Sequence, residues 1–174
     1  MSKRSKLAVG VIALFFVAAG AWVAGHRLKP SAAEPAAVTS LFAQSLPDVA
    51  GKQQALAQWR GKPMLVNFWA SWCAPCVQEM PELSALQQEL GPNSLRIVGI
   101  GIDSSANIRE FAQKLSVSYP LYVGTIDASE LSRQFGNQAG GLPFTVLIAA
   151  DGSIRKTYLG RLKMDEIRRD IGAL

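Results

Sequence analysis

The chain has 174 residues, 49% of them apolar and 18% charged, which is room for one ordinary domain with an appendage rather than two full domains. The formal net charge of +5 does not mark a nucleic-acid binder: Lys3, Arg4, Lys6, Arg27 and Lys29 fall in positions 1–30 with no acid, and the other positions carry 13 basic and 13 acidic side chains. A neutral domain without a basic stripe lacks the phosphate-neutralising charge nucleic acids demand, and two cysteines exclude a disulfide-rich scaffold.

In chain order, the first feature is Leu7–Gly25, nineteen residues without a charge, flanked by Lys3, Arg4 and Lys6 on one side and His26, Arg27 and Lys29 on the other. As a helix it spans about 28 Å, close to the apolar thickness of a bilayer. Trp22 suits an interfacial anchor, and the basic leading tail favours an amino terminus kept in the cytoplasm. A cleaved signal peptide is the competing reading, with Ala19 and Ala21 as a cleavage site. The apolar run exceeds the roughly 7–15 residues of a signal core, which favours an uncleaved anchor. The expectation is a single-pass anchor over residues 1–28 in the inner (cytoplasmic) membrane, with the rest of the chain on the periplasmic side. Residues 29–40, rich in Ala, Pro and Ser without periodicity, read as a linker. A domain then runs over 41–174.

Within it, short apolar pieces around Leu41–Ala50 with turn residues at Pro47-Asp48 and Gly51-Lys52 predict an opening hairpin. Ala55–Arg60 reads as one helical turn. Pro63–Ala70 is an almost wholly apolar buried strand, and a helix follows from Cys73 to about Leu90, its apolar residues recurring every three or four positions. Gly91-Pro92-Asn93 ends it. Leu95–Ile102 is a second buried strand, Ile108–Leu115 a helix, Pro120–Val123 a short strand and Ser129–Phe135 a helix. Phe144–Ala149 and Ile154–Leu159 form an antiparallel hairpin about Asp151-Gly152, and Lys163–Ile171 closes the chain as a helix. Parallel strands first and an antiparallel hairpin last imply an α/β fold, a mixed central sheet with helices on both faces.

Both cysteines lie in Cys73-Ala74-Pro75-Cys76. A disulfide there closes too short a loop to remove much unfolded-state entropy, so chemistry explains the pair better than structure does. A strand leading to a cysteine at a helix start is the arrangement a nucleophilic thiol needs. Unpaired N–H groups and the macrodipole favour its thiolate, lowering such a pKa from about 8.5 to about 3.5–7.5. Cys76, three residues on, lies within reach to resolve a mixed disulfide. Pro75 suits the first helical turn and, with Ala74, keeps the loop stiff. Glu79, one turn beyond Cys76, is a candidate proton carrier for that thiol or equally an exposed acid complementing the helix dipole. Asn67 interrupts the buried strand six residues before Cys73 and reads first as a hydrogen-bonded structural residue.

The run Val66-Asn67-Phe68-Trp69-Ala70-Ser71-Trp72-Cys73-Ala74-Pro75-Cys76, with Glu79 and Pro81 after it and Gly141-Leu142-Pro143-Phe144-Thr145 further on, resembles the TlpA/ResA-like thioredoxin proteins. The resemblance extends from about Leu41 to Leu174. It implies a thioredoxin fold with an insertion over roughly Ile102–Gly141. It implies Cys73 as attacking thiol, Cys76 as resolving thiol, Glu79 as the active-site glutamate and Pro143 as a cis-proline. Trp72, Ala74, Pro75 and Leu142 are then expected to contact substrate. Asn67 stands where cytosolic thioredoxins carry a buried aspartate, which shifts proton handling toward Glu79. Phe144 departs from the family pattern, where a small or polar residue is expected. Members usually reduce disulfides outside the cytoplasm, taking electrons from a membrane protein and passing them to apocytochrome c or copper-site proteins of oxidase assembly. No cofactor beyond the redox-active cysteine pair is implied.

Rival readings are few. Zinc needs four ligands, and one CxxC with His26 is too few. Haem attachment needs histidine where Val77 stands. A redoxin-type peroxidase shares the fold, but a one-thiol peroxidase does not need Trp-Cys-Ala-Pro-Cys at a helix start. Two nearby thiolates could instead hold Cu(I) and pass it on. Couples at such sites range from about −270 to about −120 mV, and without a neighbouring histidine this one is expected at the reducing end.

Overall fold

A computed structural model describes residues 35–174. The anchor assigned to residues 1–28 lies outside the described residues, and among these no helix is long and apolar enough to cross a membrane. The linker expected over residues 29–40 is corrected at its end. Helix α1, Ala36–Ala43, follows Pro35 and buries Ala37, Val38, Leu41 and Phe42. Positions 38, 41 and 42 share one helical face; Ala- and Pro-rich composition masks that spacing.

The opening hairpin pairs β1 (Ser45–Pro47) with β2 (Gln53–Ala55), and a 3₁₀ turn follows over Leu56–Trp59. Strand β3, Met64–Trp69, is buried at every position and leads into α2, Ala74–Ser94. Gly91, with φ of 71°, breaks the path of α2 where a helix stop was expected, since left-handed backbone is open to glycine at little cost. Then come β4 (Arg96–Gly101), α3 (Ser105–Leu115), β5 (Leu121–Val123), α4 (Thr125–Gln134), the hairpin β6 (Phe144–Ile148) and β7 (Ile154–Leu159), and α5 (Met164–Gly172).

The main sheet has the order β5-β4-β3-β6-β7. Its first three strands are parallel and β6 and β7 run antiparallel, the mixed sheet expected. Successive side chains of a strand point to opposite faces. Met64, Val66 and Phe68 enter an apolar cluster with α1 and α4, while Leu65 and Trp69 enter a second cluster with α2, α3 and α5. The insertion expected over Ile102–Gly141 supplies α3, β5 and α4, which widen the sheet by one parallel strand. As the central strand, β3 fixes the start of α2 with little freedom.

Candidate active site

Beyond Trp69 the chain turns through Ala70–Cys73 into α2. The Ser71 backbone N–H (3.2 Å) and hydroxyl both donate to Asp103 Oδ2, tying this loop to the end of β4. These bonds and the one from Asn107 hold the Asp103 carboxyl below its ordinary range, outweighing the opposing effect of burial. Cys73 caps α2 with its own sulfur: Sγ accepts from the Cys76 N–H at 3.3 Å, and its carbonyl accepts from the Val77 N–H at 3.1 Å. The two sulfurs form a disulfide across a Cα separation of 5.3 Å. Cys76 is fully buried and Cys73 is 5% exposed, whereas Trp72 beside it is 70% exposed. Ala74 and Pro75 are also exposed. The loop therefore buries Cys76 wholly and leaves a small part of Cys73 open beside the exposed Trp72, Ala74 and Pro75.

The Leu142–Pro143 peptide is cis. Phe144 pairs with Phe68 in the sheet, which sets Pro143 opposite the end of β3, where the cysteine loop begins. Leu142 is half-buried and packs against the cluster that holds Cys73 and Cys76. The preceding loop is held from inside by Asn137, whose Nδ2 donates to the Gly141 carbonyl at 3.0 Å.

Glu79 is fully buried, which overturns its reading as an exposed acid. Its Oε1 accepts from Asn67 Nδ2 at 2.8 Å and its Oε2 from the Leu162 backbone N–H at 3.0 Å. Asn67 Nδ2 also donates to Thr145 Oγ1 at 2.9 Å, and Asn67 and Thr145 are register partners across β3 and β6. Burial pushes the Glu79 carboxyl up to about 7, against the two hydrogen bonds and the charge of Arg161, which favour ionisation. One turn beyond Cys76 on α2 sits a buried carboxyl able to hold or release a proton near neutral pH.

Four sequence-marked residues thus gather around one helix start: Cys73, Cys76, Glu79 and, across the sheet, Pro143. Thr145, Leu162 and Asp103 were not singled out. Thr145 carried a usable signal, a lone polar residue in the buried strand Phe144–Ile148, the same signal that marked Asn67. Leu162 contributes only its backbone, and its side chain could not reveal that. Among the described residues no group of three or more His, Cys, Asp or Glu side chains is placed to hold a metal ion.

Comparison with known proteins agrees with this geometry. The thiol-disulfide oxidoreductase ResA of Geobacillus thermodenitrificans (strain NG80-2) is 27% identical over 130 residues, covering 74% of this chain and 72% of that protein. The thioredoxin-like protein YneN of Bacillus subtilis (strain 168) is 28% identical over 131 residues, covering 73% and 74%. Among solved structures, the thioredoxin-related protein from Neisseria meningitidis serogroup B superposes with a TM-score of 0.63 at 31% identity, covering 71% of this chain and 92% of that one. A secreted Mycobacterium tuberculosis disulfide oxidoreductase shares the fold with a TM-score of 0.65 at 21% identity, covering 78% and 98%. The Redoxin family model matches residues 26–171, and the chain belongs to that family, with a thioredoxin-like fold and ResA-type relatives.

Proposed function

We propose that this chain reduces protein disulfides on the outer side of the cytoplasmic membrane, tethered there by residues 1–28. It is a thiol–disulfide oxidoreductase of ResA type. The observation that carries the reading is the pair of unequal cysteines at the start of α2, one slightly open and one fully buried, with a buried carboxyl one turn further on.

In the reduced enzyme the Cys73 thiolate attacks one sulfur of a substrate disulfide, forming a mixed disulfide and expelling the substrate's other sulfur as thiolate. The Cys76 thiol gives its proton to Glu79 and attacks the Cys73 sulfur. The Cys73–Cys76 disulfide forms, and the second substrate thiolate leaves and takes up a proton. Two electrons pass from the pair to the substrate, and a membrane-borne dithiol restores them. Trp72, Ala74, Pro75, Leu142 and the cis-proline Pro143 form the surface on which the substrate strand rests. Apocytochrome c and copper-site proteins of oxidase assembly are the substrates the family resemblance favours.

The test is a trap. With Cys76→Ser the mixed disulfide on Cys73 cannot be resolved, and its partner can be isolated from membranes under non-reducing conditions. Cytochrome c precursors or copper proteins bound through Cys73 are the expected result; an empty trap with a fully alkylated Cys73 would sink the proposal. Anaerobic titration with Cu(I) addresses the copper-handling alternative, which requires tight 1:1 binding dependent on both cysteines.

A further inference from the structure

The surroundings of Glu79 are matched to only one of its two forms. Both carboxyl oxygens are met by N–H donors, Asn67 Nδ2 and the Leu162 backbone. A carboxylate only accepts, so this arrangement satisfies it; a protonated carboxyl carries a hydrogen that needs an acceptor. Neither donor can take it.

Asn67 holds the missing acceptor on the same side chain. Its Nδ2 spends one hydrogen on Glu79 and the other on Thr145 Oγ1, while its Oδ1 is buried with no hydrogen-bond partner. Asn67 and Thr145 are both fully buried, so that oxygen is shielded from bulk solvent. An orphaned amide oxygen in such a place costs free energy. The buried Oδ1 of Asn137 is orphaned too, but the Asn137 amide bonds Ser132 and Gly141, whereas that of Asn67 lies against a carboxyl that can gain a hydrogen. A half-turn about the Cβ–Cγ bond exchanges the two ends. Oδ1 then faces Glu79 and Thr145, accepting the acid hydrogen from the first and the hydroxyl hydrogen from the second. Thr145 suits both settings because a hydroxyl accepts and donates. Valine there would serve neither.

We propose that Asn67 is a proton-linked positioning residue whose side-chain amide has two settings: the one described here when Glu79 is charged, and the reversed one when Glu79 holds a proton, with Thr145 the partner in both. This rests on the proposed proton-carrying role of Glu79 and adds what lets one buried site hold both forms during turnover. The charged and titratable groups facing Glu79 are Glu82 on the same helix, Arg161 after β7 and Tyr119 before β5; Cys76, one turn back, is held in the disulfide. Burial and the two hydrogen bonds set most of the pH at which Glu79 changes form, Arg161 and Glu82 adjust it, and the amide follows.

The full-length oxidised chain in detergent solution, with isotope-labelled Asn, Thr and Glu, tests this by nuclear magnetic resonance from pH 5 to 9. The Glu79 carboxyl carbon reports its titration, and cross-peaks between the Asn67 side-chain amide hydrogens and the Thr145 side chain report the amide setting. The expected result is that these cross-peaks are strong above the Glu79 midpoint and lost below it, with one shared midpoint. Cross-peaks that persist through the titration overturn the proposal, as does a Glu79 carboxyl that does not titrate in this range. A failed substrate trap would leave the cross-peak result untouched, so failure of the exchange role and failure of this inference are told apart.

Discussion

The two faces of β3 make an instructive pair. One face, Met64, Val66 and Phe68, packs into an apolar cluster, with the Phe68 ring 6.3 Å from that of Phe135 and 6.2 Å from that of Phe144. The other face places Asn67 between Leu65 and Trp69, hydrogen-bonded to a buried carboxylic acid. All six side chains are equally shielded from water. What differs is whether burial lowers the free energy of the fold or raises that of a group the chemistry uses. The apolar face supplies cohesion, and the polar face consumes some of it to hold a carboxyl near neutral pH.

The sharpest break is at the cysteine loop. Cys73→Ser is expected to lower kcat/KM for reduction of a protein disulfide by at least about 1,000-fold, measured by insulin reduction, because the residue supplies the attacking atom. On the apolar face, Phe68→Ala is expected to cost about 3–5 kcal/mol in urea unfolding, the usual range for emptying a packed aromatic site. It should leave the Glu79 midpoint where it was.

On the polar face the effect is a slope with pH. The Glu79 carboxyl sits at about 7 in the fold against an ordinary 4.5, so the folded chain holds that proton more tightly than the unfolded one. Its contribution is fully present below pH 4.5 and is lost as pH rises to 7, a decline of up to about 3 kcal/mol at 1.36 kcal/mol per pH unit. Unfolding midpoints at half-unit steps from pH 4 to 8 should show this fall in the natural chain and a flatter profile in Glu79→Gln. The smallest effect on stability is at the rim: Trp72→Ala should change it by no more than about 0.5 kcal/mol. The same change should weaken kcat/KM for protein substrates about tenfold, with small disulfides little affected.

These contrasts also separate what the sequence shows by itself from what only the fold creates. β7 is alternating, with Asp151-Gly152 before it, and it forms over the expected residues. α3 begins at Ser105 rather than Ile108 because Ser104 caps it, its hydroxyl accepting from the Asn107 N–H at 3.2 Å. The serine was visible, but the apolar periodicity starts later. α4 starts four residues before its expected beginning: in its first turn the large apolar residue, Ile126, is 75% exposed and only the small Ala128 faces the core, so no apolar repeat marks that turn in the sequence. At the site, Cys73, Cys76 and Glu79 lie on one short stretch whose helical spacing could be counted. The partners of Glu79 could not. Asn67 meets Thr145 across 78 positions and Leu162 meets Glu79 across 83, pairings that exist only once strand register and the loop after β7 are set.

The unequal accessibility of the two sulfurs has a consequence for regiochemistry. With 5% of Cys73 showing and none of Cys76, an incoming thiolate is directed to the Cys73 side of the disulfide, and the inner sulfur is the leaving group. Adducts therefore accumulate at one address only. Electrons enter and depart through the same narrow doorway, while the inner atom deals with no visitor, only with its neighbour.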